Sequence, residues 1–194
     1  MQIITIPHQS LRKKAQEIVK IDRKSMKFLE KLGSTLKNKD NPKGVGLAAP
    51  QVNKLWRVFV TLVSDIEDDN EGLYLRTFIN PRIVKHSRNQ TFGPDKKDPR
   101  LEGCLSMPGM YGPVPRWQWV EVESQTVDTS GDSPKLITQK GKFVDFHARV
   151  IQHEIDHLDG ILFTDYSLQY DLPVYVEQGK KLVEIDDRSI LESY

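Results

Sequence analysis

The chain has 194 residues, 38% hydrophobic and 28% charged, enough for one globular domain with a real core and too few for two large ones. Its 28 Lys and Arg against 27 Asp and Glu leave a net charge of +1, which argues against a protein held to nucleic acid or an anionic membrane by bulk charge. One cysteine excludes an intrachain disulfide framework and fits a reducing compartment, and no apolar run approaches the ~18 residues of a membrane helix.

The N-terminal stretch MQIITIPHQSLRKK places apolar residues before its basic cluster, the reverse of a signal peptide, so a cytoplasmic location is expected. Leu11, Ala15 and Ile18, spaced by four and three, predict a short amphipathic helix within residues 10–20. Asp22 is placed to cap a second helix, in which Met26, Leu29, Leu32 and Leu36 recur every three or four residues. Both stripes read as core packing. In Gly44-Val45-Gly46-Leu47-Ala48-Ala49-Pro50-Gln51 the small residues let a backbone approach closely, and Gln51 is an uncharged donor suited to an oxyanion. The spacing matches neither glycine-rich phosphate loop.

Residues 56–63 (WRVFVTLV) and 73–80 (LYLRTFIN) are rich in β-branched and aromatic side chains and read as strands. The intervening DIEDDNEG carries five acids with Asn70 and Gly72, the pattern of a solvated hairpin loop rather than a metal site. Residues 85–100 hold two prolines, with five basic and two acidic side chains, and read as an exposed loop. Residues 117–123 (WQWVEVE) alternate as a strand does, and 127–133 (VDTSGDS) have turn chemistry. A helical pattern spans Lys142 to Leu158, with Phe143, Phe146, Val150, Ile151 and Leu158 on one broad face. Beyond Asp165, Pro173 interrupts the chain, and KKLVEIDD suits a short helix or a strand.

The chemistry concentrates in His153-Glu154-Ile155-Asp156-His157. On a helix the i, i+4 spacing puts both imidazoles on one face, able to share one metal ion. Glu154 is offset around the helix, where it can act as a base toward water without being a ligand. A catalytic metal needs a third protein ligand. No histidine follows His157; Asp159, Asp165 and Glu177 are formal downstream candidates. Upstream stands Cys104 in Glu102-Gly103-Cys104-Leu105-Ser106, whose plain alternative is a small buried hydrophobe.

In this order, GVGLAAPQ, EGCLS and QHEIDH resemble the three motifs of the peptide deformylase family. The resemblance extends to PHQSLRKKAQEI, INPRI, VPRWQWVEV and ARVIQHEIDHLDGILFTD, and covers most of residues 5–166. It implies an α+β fold, with mainly antiparallel sheets packed around the helix that carries HEIDH. It implies hydrolysis of the formyl group from N-formylmethionyl nascent peptides, with release of formate. The ligands of one divalent ion would be Cys104, His153 and His157; Fe(II) is the implied ion, with Ni(II), Co(II) or Zn(II) as substitutes. Glu154 would carry the proton, and Gln51 and the Leu105 backbone N–H would stabilise the oxyanion. Gly46 would pair with the extended peptide. Val45, Phe146 and Val150 would form the methionine pocket, with core packing as the alternative for each. Glu102 and Arg116 would pair beneath the site and steady the ligands.

The same resemblance makes residues 1–166 the catalytic domain and 167–194 a tail belonging to it. It allows a contact at the ribosome exit region, with no reading of nucleic-acid sequence and no membrane. Three departures stand out, one of them the stretch 85–100, a longer approach to EGCLS than many members have. Asn53 occupies a position where the family often has glycine, and asparagine tolerates the left-handed conformation there. The tail shows no clear basic C-terminal helix. The competing readings are an endopeptidase with a downstream third ligand and a binding protein on the same fold without activity.

Overall fold

The structure is a computed structural model and describes residues 1–64, 73–93, 100–131, 133–187, 189 and 191. Its first regular helix is α1 (Arg23–Lys37), and Asp22 caps it as expected: Asp22 Oδ1 accepts from the Ser25 N–H and Ser25 Oγ accepts from the Asp22 N–H, each at 2.7 Å. Strands β1 (Gly46–Ala48), β2 (Val58–Val63) and β3 (Tyr74–His86) follow. Next come β4 (Gln90–Thr91), β5 (Leu101–Cys104), β6 (Met107–Pro113), β7 (Arg116–Trp117), β8 (Trp119–Asp128) and β9 (Lys135–Val144). Helices α2 (Asp145–Asp159) and α3 (Phe163–Tyr170) precede a final hairpin, β10 (Tyr175–Gln178) and β11 (Lys181–Glu184).

Among the described residues the named strands pair antiparallel throughout, in a five-stranded sheet β1-β2-β3-β8-β9, a four-stranded sheet β11-β10-β6-β5 and the small pair β4-β7. α2 carries HEIDH and is buried along most of its length. Ala148, Ile151, Ile155 and Leu158 pack on Phe59, Phe78, Val120 and Val122 of the larger sheet. A second core joins Cys104, Met107 and Val114 to Leu162, Phe163 and Val174, and a third lies under Leu32 and Leu36 of α1. The fold is thus α+β, with antiparallel sheets around a central helix, as the resemblance implies.

The helix expected within residues 10–20 is not formed. A 3-10 turn spans Gln9–Arg12, and the chain then runs extended. Leu11, Ala15 and Ile18 are buried, but beyond the turn at Leu11 the backbone bonds to distant partners: Ala15 N–H to the Leu158 carbonyl at 2.8 Å and Ile18 N–H to Asn80 Oδ1 at 2.8 Å. Asn80 makes this possible from a bulge, with φ at 49° and the β3–β8 register shifting between Ile79 and Arg82.

The helix expected from Lys142 begins later, at Asp145, with φ at 48°. Lys142 to Val144 complete β9, so Phe143 packs from a strand, 5.5 Å from the Phe78 ring. β8 likewise consumes Val127 and Asp128, shortening the expected turn. β3 runs through Lys85 and His86, and Gln90 and Thr91 pair with β7, so the expected loop from 85 is partly strand. Residues 94–99 of that loop, and 65–72 of the acidic loop between β2 and β3, lie outside the described residues. KKLVEIDD contributes the strand β11.

Candidate active site

Sequence-local geometry places His153 and His157 one turn apart on α2, with ring centroids 4.9 Å apart. The β5–β6 hairpin brings Cys104 across to them, its Sγ 3.2 Å from His157 Nε2. One ligand atom from each of the three residues lies within 4.8 Å of the other two. The downstream carboxylates lie elsewhere: Asp159 pairs with Arg57 at 2.8 Å, Asp165 with Arg12 at 2.6 Å, and Glu177 stands beside Gly109.

This trio fits a metal ion. A thiolate and two imidazoles suit a borderline divalent ion. His153 Nδ1 is taken by Glu102 Oε2 at 3.2 Å, which leaves Nε2 for the ion. Burial holds His157 well below the usual histidine range and so neutral. At His153 burial pulls the same way, but hydrogen bonds to Cys104 and Glu102 outweigh it and raise the pKa; a bound cation would replace that proton.

Glu102 is fixed by more than His153. Arg116, 2% exposed, donates to both of its carboxylate oxygens at 3.0 and 2.9 Å and to Asp156 Oδ2 at 2.5 Å. Arg149 adds a bond to Glu102 at 3.3 Å and donates to the Val114 carbonyl at 2.7 Å. Burial alone would raise the Glu102 carboxyl, but Arg116 and His153 hold it well below the usual range. Sequence reasoning paired Glu102 with Arg116 and missed Arg149, Asp156 and Tyr166, whose hydroxyl lies 3.2 Å from Asp156 Oδ1. For Arg149 and Asp156 the available signal was their place on α2, where with Gln152 they interrupt an otherwise apolar buried face; Tyr166 lies on α3.

Glu154 lies deep in the site with Oε2 unpartnered among the described residues. Burial pushes its carboxyl up to about 7. A Cβ on Gly46 would run into the Glu154 carboxylate, so the absence of a side chain at 46 leaves room for the acid. Gln51 is pinned from behind, its Oε1 accepting from the Ala48 N–H at 2.8 Å while Nε2 faces Ser106 Oγ at 3.3 Å and Cys104 Sγ at 3.6 Å. Asn53 closes the turn after Gln51 with φ 59° and ψ 36°, the left-handed conformation expected of it.

Gly46, Gln51, Glu102, Cys104, His153 and Glu154 line one cavity, while His157, Arg116 and Asp156 are buried outside its lining. Gly46 lies on β1, an edge strand of its sheet, and Leu105 sits in the β5–β6 turn. Val45 and Phe146 are 36% and 39% exposed at the cavity wall, whereas Val150 is 6% exposed beneath them. The Arg100 guanidinium lies 4.9 Å over the Phe146 ring, a lip that sequence patterning did not show. No helix among the described residues is long and apolar enough to cross a membrane.

The family model described as polypeptide deformylase matches residues 1–171. A peptide deformylase 1 of Bacillus cereus is 37% identical over 170 residues, covering 88% of this chain and 94% of that protein. A probable peptide deformylase from Synechococcus phage S-SSM7 superimposes with a TM-score of 0.67 at 34% identity, over 85% of this chain and 98% of its own. A class I type b peptide deformylase from Acinetobacter baumannii, solved with Met-Ala-Ser bound, gives 0.69 at 27% identity, over 86% and 97%.

Proposed function

We propose, from the premise that this chain belongs to the peptide deformylase family and is a hydrolase removing the N-formyl group of nascent peptides, that its own residues divide the reaction as follows. Cys104, His153 and His157 hold one divalent ion, which when bound supplies Lewis acidity to the formyl carbonyl and acidifies a water. The soft thiolate with two imidazoles accommodates Fe(II), with Ni(II), Co(II) or Zn(II) as substitutes.

The substrate enters as an extended peptide pairing with the free edge of β1 at Gly46. Its methionine side chain lies against Val45, Phe146 and Val150. The Gln51 amide and the Leu105 backbone N–H donate to the carbonyl oxygen as it gains charge. Glu154, buried and with a carboxyl near 7, takes a proton from the attacking water and returns it to the leaving amine. Water thus adds to the formyl carbon, the C–N bond breaks, and formate and a free amine leave. Glu102, held by Arg116, positions His153. Residues 1–166 form the catalytic unit and 167–194 belong to it, which the pairing of β10 with β6 supports. The reading places the protein in the cytoplasm, in contact with the ribosome exit region.

The observation that carries this reading is the convergence of the three ligand atoms beside a buried Glu154 whose Oε2 has no partner among the described residues, at a cavity lined by Cys104, His153 and Glu154. The test is formate release from formyl-Met-Ala-Ser by metal-reconstituted protein, beside an internally quenched peptide with a blocked N-terminus. Deformylation without internal cleavage is expected. Cleavage of the quenched peptide with no formate would overturn the reading in favour of an endopeptidase.

A further inference from the structure

The near-neutral total of the chain conceals a segregation of charge. Residues 1–54 hold twelve Lys and Arg against four Asp and Glu, a net of +8, and the remainder holds sixteen against twenty-three, a net of −7. The positive side centres on α1, where Arg23, Lys24, Lys27, Lys31 and Lys37 are all exposed and Glu30 is the one acid. Lys27, Lys31 and Lys37 form no ion pair among the described residues. The outer face of β3, β8 and β9 behaves differently. There Arg82 and Lys140 pair with Glu123, and Lys85 pairs with Glu121.

A second observation lies beside the helix. Lys31, Ser34, Asn38 and Lys39, together with Met1, Ile3 and Thr35, line a surface cleft whose lining holds no carboxylate; the Met1 ammonium donates to Thr35 Oγ1 at 2.7 Å and the Lys39 ammonium to the Asn41 carbonyl at 2.5 Å, so the cations gathered there have no anionic partner in the cleft. The same run of chain continues to Lys43 on the wall of the catalytic cavity. The apolar side of α1, with Leu32 and Leu36, is already committed to the core, so the helix has no free apolar face to lay into lipid. Its fifteen residues present cations along about 22 Å, at 1.5 Å per residue.

We propose that the exposed face of α1 and the Lys31–Lys39 cleft bind the sugar–phosphate backbone of structured RNA, without reading bases, and hold the catalytic cavity beside it. The inference rests on the proposed function in one respect, that a nascent peptide is presented on a particle built largely of RNA. Phosphates would meet unpaired ammonium groups and release condensed counterions, so binding is set by salt rather than sequence.

The experiment measures anisotropy of a fluorescent RNA hairpin of arbitrary sequence with the metal-loaded protein across a salt series. The wild type should bind with log affinity falling linearly in log salt, by about 0.9 per phosphate neutralised. The triple variant Lys24→Glu, Lys27→Glu, Lys31→Glu should lose at least ~10-fold in affinity and flatten the slope by about three. The neutral triple variant to Gln should lose part of both, which keeps the result readable if the Glu variant misfolds. Lys85→Glu with Lys140→Glu should leave RNA binding within about twofold, since both lysines already sit in ion pairs on the outer face of β3, β8 and β9. Formyl-Met-Ala-Ser turnover should stay at the wild-type level in every variant. Wild-type protein that does not bind, a Gln triple variant that binds like wild type, or tighter binding to phosphatidylserine vesicles than to RNA would each overturn the proposal. Absent formate release with intact RNA binding would sink the proposed function alone.

Discussion

The two ends of the catalytic cavity are built on opposite principles. The inner end is over-determined: Glu102 is held by Arg116, Arg149 and His153, Arg116 is shared with Asp156, and Gln51 is pinned by the Ala48 N–H. The outer end consists of Val45, Phe146 and an Arg100 stacked on a ring, all partly in solvent. The inner end fixes its side chains with several hydrogen bonds each, and the outer end offers apolar surface with few polar contacts. Substitutions at the inner end should therefore act on kcat or stability, and those at the outer end on substrate choice.

The largest effect is expected at Glu154. Glu154→Gln keeps the shape against Gly46 but removes the proton carrier, so activity should fall ~10² to 10⁴-fold with metal content unchanged. Elemental analysis beside formate release checks both. Turnover near wild type would remove Glu154 from the reaction. A companion change, Gly46→Ala, forces the new methyl onto the Glu154 carboxylate and should lower kcat with little change in fold.

Arg116 tests the support beneath the site. Arg116→Met leaves Glu102 and Asp156 buried without their shared counterion, at a stability cost of about 3 to 5 kcal/mol by urea unfolding. Arg82→Met removes the exposed partner of Glu123 and should change stability by less than ~1 kcal/mol. Similar losses in the two variants would mean that the inner network is no stiffer than the surface.

What could be read from the chain before its structure follows the same division between local and distant causes. The His153–His157 pair depends on one helical turn, and the α1 cap on Asp22 and Ser25, three residues apart; both were legible. The segment 10–20 was not, because its backbone partners, Leu158, Leu55 and Asn80, are remote and override its helical spacing. Phe143 fits a helical stripe and a strand equally, and only pairing with Val120 assigns it to β9. Arg149 and Asp156 were missed since charged residues on a helix are normally solvated, and their burial follows from where β5–β7 pack. Cys104 was one upstream candidate among several for a third ligand, and the motif resemblance, not its local setting, singled it out over a small buried hydrophobe.

Gln51 is the next test of the inner end. Gln51→Leu removes one donor without changing charge and should lower kcat by roughly 10² to 10³. It also frees the Ala48 N–H, so a rise confined to KM would assign Gln51 to holding β1 and the ground state instead.

The smallest effects belong to the outer wall. An apolar wall discriminates by fit, worth ~1 to 3 kcal/mol for a methylene-scale mismatch, and no buried polar group at Val45, Phe146 or Val150 can add to that. Formyl-norleucine peptides should therefore approach formyl-methionine peptides in kcat/KM, and formyl-glycine peptides should fall ~10 to 200-fold. Val150→Ala enlarges the floor of the pocket and should narrow the preference for methionine over smaller side chains. Phe146→Ala removes the ring beneath Arg100 as well, so it should raise KM more than Val150→Ala does while kcat changes less than in any inner-end variant. Equal kcat/KM across methionine, norleucine and glycine substrates would show that these three side chains serve the core and not the substrate. A kcat loss in Phe146→Ala as large as that in Gln51→Leu would erase the distinction between the two ends of the cavity.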